Sequence, residues 1–408
     1  MTKRLYYDQP GLLEFDSTVE AVVPAEAAPS SSRPAVILRE SAFYPTSGGQ
    51  VYDTGWLTVG SDRLRVTEVG ENEQGAVVHY LDASAAQPAP GSQVRGAIDG
   101  ERRLDHMQQH SGQHVLSAAF IELYEMPTVS FHMGEDYCSI DLAVAEVRPE
   151  QMIAVEKRAN EIIFENRPVT IRYVSRAEAE KLGLRKLPPA DRDELRLIEI
   201  ANFDLSACGG THISATGQIG SILLRKSEKV RQGTRVEFVC GGRAVRTARR
   251  DYISLAESAS LFSAQLYDVP EMIRKNFEEG KALRRERDEA LEELASVMAR
   301  ESIGASENRV VVVRIFSDRD LSFAKLFAQK VTRLGVPAIA LVGSTLNPPG
   351  LVFAQRAGGA GDMGALLKQV LAEVGGRGGG SRDFAQGGLP AGANVEELLR
   401  QAAEKIGG

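Results

Sequence analysis

Over the first ninety-five residues, apolar and polar positions alternate in short runs, AVILRESAFY, GWLTVGS, LRVTEVG and AVVHYLD, each broken by Gly, Asp or Pro. Period-two runs bounded by turn residues predict half-buried strands, so residues 1–95 read as a small β-rich, barrel-like domain. The pattern then changes. Between 96 and 250, helical spacing in RRLDHMQQHSGQHVLSAAFIELY and VEKRANEIIFE is interleaved with strand-like YCSIDLAV, VTIRYV and RVEFVC, which predicts an α+β domain. In the first of these helices Val115, Leu116, Ala119, Phe120 and Leu123 form an apolar stripe. Residues 251–305 are helical throughout in composition. Leu283, Ala290, Leu294 and Val297 keep a heptad-like spacing that Arg284 to Arg287 interrupt, so this linker is a spacer helix, a two-helix hairpin or a dimer coil. Residues 306–408 alternate VVVVRIF, LSFAKLFAQKVTRLG, PAIALVG and GLVFAQ, then a further helix, a glycine run and a last helix, an α/β domain.

Composition narrows the class. A chain of 408 residues exceeds one ordinary core, so several domains are expected. No apolar run of eighteen residues occurs and the start lacks an apolar signal core, so neither a membrane span nor a secretory leader is expected. Three cysteines, an odd and sparse set, point to a reducing compartment, with cytoplasm the default. The net charge of -7 leaves any nucleic-acid contact to local patches. One such run is LLRKSEKVRQGTRVEFVCGGRAVRTARRDY, with Arg225, Lys226, Lys229, Arg231, Arg235, Arg243, Arg246, Arg249 and Arg250; Arg185 and Lys186 form a weaker second candidate.

The chemistry concentrates in two short segments. HSGQH carries His110 and His114, and CGGTH carries Cys208 and His212, each half placing two zinc-type donors four residues apart. On a helix, residues four apart share a face. By that rule His106 with His110 is as good a pair as His110 with His114. Two glycines between Cys208 and His212 let the chain turn tightly enough for both side chains to converge. Asp204, four residues before Cys208, is placed to orient a ligand histidine. His79 and Cys138 lie in apolar strand-like runs and read as core, and His132 as a satisfied structural histidine.

FYPTSGGQVYDTG, HSGQHVLSAAF and CGGTHISATGQIGS, in that order, resemble the editing domain of alanyl-tRNA synthetases and the freestanding alanyl-tRNA editing proteins of the AlaX group. GGRGGGSRDFAQGG, residues 375–388, resembles the glycine-rich signature of the synthetases' C-terminal domain; without the family it would read as a flexible linker. The resemblance implies a fold of an N-terminal β-barrel-like domain, an α+β zinc-binding editing domain, a helical linker and a C-terminal glycine-rich α/β domain. It also settles the register on His110 and His114, with Cys208 and His212 completing a Zn2+ site and His106 a neighbour behind it. The activity implied is zinc-dependent hydrolysis in trans, removing serine, with glycine as second candidate, from mischarged tRNA(Ala), without aminoacylation. Ser41, Thr46, Gln50 and Gln113 are the candidates for recognising the serine hydroxyl; where Ser41 stands, family members commonly carry Thr. Arg225, Lys226, Lys229, Arg231, Arg243 and Arg246 are the candidates for the tRNA backbone, and the linker with the tail leaves room for a homodimer. Four protein ligands close a zinc tetrahedron, the usual mark of a structural ion, so a zinc that organises the pocket is expected, and the alternative is a non-catalytic, zinc-stabilised tRNA-binding module. A third class, a hydrolase of peptides or small esters, lacks the Glu between paired histidines that a protease-type base requires.

Overall fold

A computed structural model describes residues 2–23, 33–82, 88–182, 184, 193–231, 233–305 and 308–407; Arg185 and Lys186 lie outside them. The chain divides into two compact units, Met1–Glu257 and Ser258–Gly408. No helix among the described residues is long and apolar enough to cross a membrane.

In the first unit six strands close a barrel in the order Glu14–Val23, Ala35–Leu38, Val77–Leu81, Asp62–Glu71, Gly55–Val59 and Gln93–Ile98. Alternation shows over the first seven residues of Glu14–Val23, where Phe15, Ser17 and Val19 turn inward and their neighbours outward, before the register shifts between Val19 and Ala21. Val36, Leu38, Phe43, Leu57, Val66 and Leu81 fill the interior. His79 belongs to this core at 0 % exposure. Its Nδ1–H donates to the Val36 carbonyl at 3.2 Å, which leaves Nε2 to accept from the Ser41 hydroxyl at 2.7 Å.

Burial holds His79 down at about 4 from an ordinary 6.5, so the ring is neutral in the folded protein. The unfolded chain takes up this proton first. The stability that neutral His79 contributes is therefore complete above pH 6.5 and is lost as pH falls toward 4, about 3 kcal/mol in all. Urea titrations between pH 7.5 and 4.5 should show wild type losing about 2.5 kcal/mol more stability than His79→Gln, and parallel losses would remove the assignment.

Beside the barrel, a four-stranded antiparallel sheet runs Ile222–Val230, Gly233–Cys240, Cys138–Leu142, Thr128–Met133. The helices Gly100–Tyr124 and Pro149–Phe164 share its core, through Val115, Leu116, Phe120, Val155, Ile162, Ile140 and Phe238. A three-stranded antiparallel sheet, Val169–Ser175, Glu194–Ile200 and Asp204–Ala207, leads into the CGGTH segment. Helix Gly100–Tyr124 is buried on nearly every side from Gln109 to Phe120, polar residues included. Leu123, by contrast, is 40 % exposed, so the apolar stripe ends at Phe120.

The stretch 251–305 is not one helix: helix Gly241–Leu261 ends inside it, and after the short turn Leu266–Asp268 a second helix, Val269–Ile303, runs for 35 residues in the second unit. Its last turns pack Ala295, Ala299 and Ile303 against the following sheet and helix, while Leu283 and Val297 stay exposed. That sheet orders its strands Val310–Phe316, Ala338–Ser344, Gly350–Gln355, Phe384–Gly388, Arg377–Gly380, the first pair parallel and the rest antiparallel. The glycine-rich segment thus forms the edge strand Arg377–Gly380 and the inner strand Phe384–Gly388 that pairs with it, instead of a linker.

Candidate metal centre

Three local devices bring the site together. The first is the helix Gly100–Tyr124, whose regular repeat points His110 and His114 to one side. The second is the turn Ser47–Gln50, where Ser47 and Gln50 exchange both backbone hydrogen bonds at 3.0 Å across Gly48 and Gly49. Both glycines have positive φ, 58° and 86°, the requirement of a two-residue hairpin turn of this hand. A Cβ on Gly49 would also sit 2.5 Å from the Phe131 carbonyl. The third is the CGGTH segment, where a Cβ on Gly210 would lie 2.1 Å from Cε1 of His110. Only glycine lets the two half-motifs approach this closely.

The ligand atoms of His110, His114, Cys208 and His212 all lie within 4.8 Å of one another. Cys208 Sγ stands 3.4 Å from His110 Nε2 and 3.3 Å from His212 Nε2. Neighbouring ligand atoms of a tetrahedral zinc with ordinary Zn–N and Zn–S bonds stand about 3.5 Å apart, so three imidazoles and one thiolate fit the ion in both donor type and span.

Each imidazole is held at its far nitrogen. Nδ1 of His110 meets Gln50 Oε1 at 2.7 Å, Nδ1 of His114 meets Asp204 Oδ2 at 3.3 Å, and Nδ1 of His212 meets Ser111 Oγ at 3.1 Å. A partner at Nδ1 sets ring orientation and presents Nε2 to the centre. The partners are themselves fixed: Gln50 also bonds Thr211 through Oγ1 at 2.8 Å and N–H at 3.1 Å, and Asp204 accepts from Ser206 at 2.8 Å. Burial alone would push the Cys208 thiol up, but the adjoining His110 and His212 rings pull it well below its ordinary value. Burial also acts to lower His114, yet Asp204 and the Cys208 sulfur outweigh it and hold the ring up at about 9. At His212 burial prevails, holding it down at about 3.

The other sequence candidates fall elsewhere. Ser41 is fully buried in the barrel, its hydroxyl committed to His79 and to the Phe43 N–H at 3.1 Å, so it is not presented to the metal group. Gln113 donates to Ser117 at 2.8 Å. Gln50, expected to read a substrate hydroxyl, instead spends its amide on His110 and Thr211. Thr46 is exposed on the loop before the glycines. His106 lies outside the four-residue group, lining a separate cavity of about 780 Å3, and its buried Nδ1 has no hydrogen-bond partner among the described residues. His132 is exposed, 3.6 Å from Asp141. Sequence reasoning missed Ser111 and Thr211, although both sit inside the motifs.

The basic run does not form one patch. Arg243 is 6 % exposed and its guanidinium is spent on Asp105 at 2.6 Å and the Gly134 carbonyl, which removes it as a phosphate ligand. Arg225 pairs with Asp251, Lys226 with Glu228 and Glu237, and Arg235 with Asp141. Lys229, Arg231, Arg246, Arg249 and Arg250 are exposed without an ion pair among the described residues.

Gln50→Ala removes the support of His110 while leaving all four ligands. Metal affinity, measured by competition with a chromogenic chelator, should fall roughly 10–100-fold. An unchanged affinity would mean that packing alone orients the ring.

Comparison with known proteins adds the following. Residues 4–102 match the family model described as tRNA synthetases class II (A), and residues 195–236 that of the threonyl and alanyl tRNA synthetase second additional domain. Residues 307–408 match the DHHA1 domain. The matched segment 195–236 contains Cys208 and His212. The chain is similar to "Alanyl-tRNA editing protein AlaX-L" of Pyrococcus horikoshii, 30 % identical over 412 residues, covering 100 % of this chain and 98 % of that one. It is also similar to "Alanine--tRNA ligase" of Halorubrum lacusprofundi, at 32 % identity over 99 % of this chain, and of Pyrococcus abyssi, at 29 % over 99 %. It spans 44 % of the length of each of these ligases.

Proposed function

We propose, on the premise that this chain belongs to the AlaX group of alanyl-tRNA editing proteins, that it hydrolyses the ester of mischarged tRNA(Ala), releasing serine and, second, glycine. The observation that supports this reading is a group of three imidazoles and one thiolate held ready for zinc, with Cys208, the one ligand not fully buried, facing a cleft.

His110, His114, Cys208 and His212 would hold the ion. Bound there, zinc supplies a Lewis acid able to draw charge from an ester carbonyl. The protein's own part is orientation: Gln50, Asp204 and Ser111 fix the three rings, and Asp204 takes the hydrogen bond of the His114 Nδ1 proton. Thr46 is the loop hydroxyl proposed to meet the amino acid. Lys229, Arg231, Arg246, Arg249 and Arg250 are proposed to meet tRNA phosphates, whose affinity would fall with salt.

The closed set of four ligands favours a second reading, a zinc-stabilised module that binds tRNA without turnover. One assay separates the two. Purified protein is incubated with serine-charged and alanine-charged tRNA(Ala), with and without a chelator. Zinc-dependent loss of the serine charge alone is the expected result, binding without turnover would favour the second reading, and loss of both charges would deny the selectivity.

A further inference from the structure

Behind Cys208 lies a cavity of about 290 Å3 lined by Tyr7, Tyr173, Glu194, Arg196, Cys208 and Gly209, with Leu195 and Ala207. It reaches the metal group where that group is least covered, since His110, His114 and His212 are buried and Cys208 is not. The larger cavity of about 780 Å3 touches none of the four.

Arg196 distinguishes this cavity. It is only 8 % exposed, and it is held by three backbone carbonyls: Nε donates to Tyr7 at 2.9 Å, and Nη1 to Cys208 at 2.6 Å and Gly210 at 3.1 Å. Its Nη2 is buried and has no hydrogen-bond partner among the described residues, and the guanidinium carbon lies 5.4 Å from the centre of the Tyr7 ring. All three acceptors are neutral, so a guanidinium that never loses its charge is withdrawn from water without a carboxylate partner among the described residues. The lining holds one acid, Glu194, exposed at the mouth two residues before Arg196 on the same strand. Asp8, which accepts from the hydroxyl of the lining residue Tyr173 at 2.8 Å, is engaged there. A buried cation with no carboxylate partner among the described residues, and with Nη2 lacking an acceptor, calls for an anion with oxygen acceptors, and Arg meets phosphate in this way.

We infer that this cavity seats the phosphodiester joining the last two nucleotides of the aminoacylated RNA, with Arg196 Nη2 donating to a non-bridging oxygen. The inference rests on the function proposed above. In such a substrate the ester sits on a hydroxyl of the terminal ribose, and the 5′ oxygen of that ribose carries the nearest phosphate. One ribose therefore separates the reacting bond from the first available anion, and one residue separates the metal ligand from the unpaired cation, since Arg196 touches the backbone of Cys208 itself. Arg196 then does two things. It clamps the CGGTH segment through Nη1, and through Nη2 it fixes the distance from the RNA chain to the metal group.

The test uses the full chain and an uncharged RNA minihelix with the acceptor stem and 3′ end of tRNA(Ala). The last phosphodiester is either natural or a neutral methylphosphonate. Wild type should bind the methylphosphonate RNA about tenfold more weakly, the loss expected for one charged hydrogen bond. Arg196→Gln should bind the natural RNA about tenfold more weakly and show no further loss with the methylphosphonate, the coupling that marks a direct contact. Its slope of log affinity against log salt should flatten by about 0.7, one single-strand phosphate. Equal binding of both RNAs by wild type overturns the inference, and so does an Arg196→Gln loss that is the same for both RNAs. Should Arg196→Gln lose metal or unfold, the wild-type comparison still decides. Failure to remove serine from charged tRNA(Ala), with the methylphosphonate effect intact, would overturn the hydrolytic reading and leave the phosphate seat standing. Absence of binding to either RNA overturns both.

Discussion

Cys208→Ala should lose its bound metal and remove serine from tRNA(Ala) more slowly by at least about 100-fold, beyond the range expected for loss of a supporting residue. Cys208 is the one anionic donor in the set, and its sulfur stands 3.3 Å and 3.4 Å from two of the imidazoles it would share an ion with. Without it, three neutral rings must hold a divalent cation in a largely buried place, where an uncompensated charge is costly. The same substitution reports on stability. A metal that binds only the folded chain stabilises it by about 4 kcal/mol when present at a thousand times its dissociation constant. Wild type treated with chelator should therefore unfold like Cys208→Ala, and that variant should not respond to chelator. Metal content by elemental analysis, alongside deacylation, checks the prediction. A variant that keeps one metal per chain would overturn the ligand assignment. One that loses metal yet deacylates at the wild-type rate would overturn the zinc dependence.

The metal group was legible in part: imidazole and thiolate are rare and a spacing of four shows in the sequence, but spacing left His106 and His114 level as partners of His110, and the family resemblance decided between them. The α+β class and barrel-like first segment were legible for a related reason, since alternation in runs such as AVILRESAFY follows directly from one face being buried. The supports of the metal group were only half legible. Asp204 stood out as a carboxylate near a ligand, whereas Ser111 and Thr211 are residue types too common for spacing to single out. Gln50 was found with the wrong partner in view, because no sequence rule shows that its loop folds back onto His110 across sixty residues. Ser41 shows the reverse limit: the hydroxyl is present, but His79, thirty-eight residues away, claims it. The basic run misled through adjacency. A hairpin and a helix send its members in different directions, and Asp105 draws Arg243 inward.

Arg103 illustrates what spacing cannot reveal, and Arg103→Met should cost about 3–5 kcal/mol, the usual result of leaving one member of a buried ion pair alone. Arg103 and Asp53 are 1 % and 0 % exposed and meet at 2.5 Å. The guanidinium also donates to the carbonyls of Pro10 at 2.7 Å and Ala42 at 2.6 Å, and Asp53 accepts the Tyr44 N–H at 2.7 Å. Through these bonds the first turn of the histidine helix is tied to the segment just before the Ser47–Gln50 turn, so the pair sets how Gln50 meets His110. Methionine keeps an apolar stem but is shorter than arginine, so the loss combines the abandoned carboxylate with a small cavity, and comparison with a double variant isolates the carboxylate. Arg103→Met with Asp53→Leu should recover part of the stability but not all, because the Tyr44 N–H then loses its acceptor. Urea unfolding of the single and double variants checks this. If Arg103→Met alone costs less than about 1 kcal/mol, the range of an exposed surface pair, the ion pair does not anchor the helix. The metal site responds separately. Metal affinity should fall in Arg103→Met, since the helix that carries two of the ligands loses its tie to the loop that orients one of them.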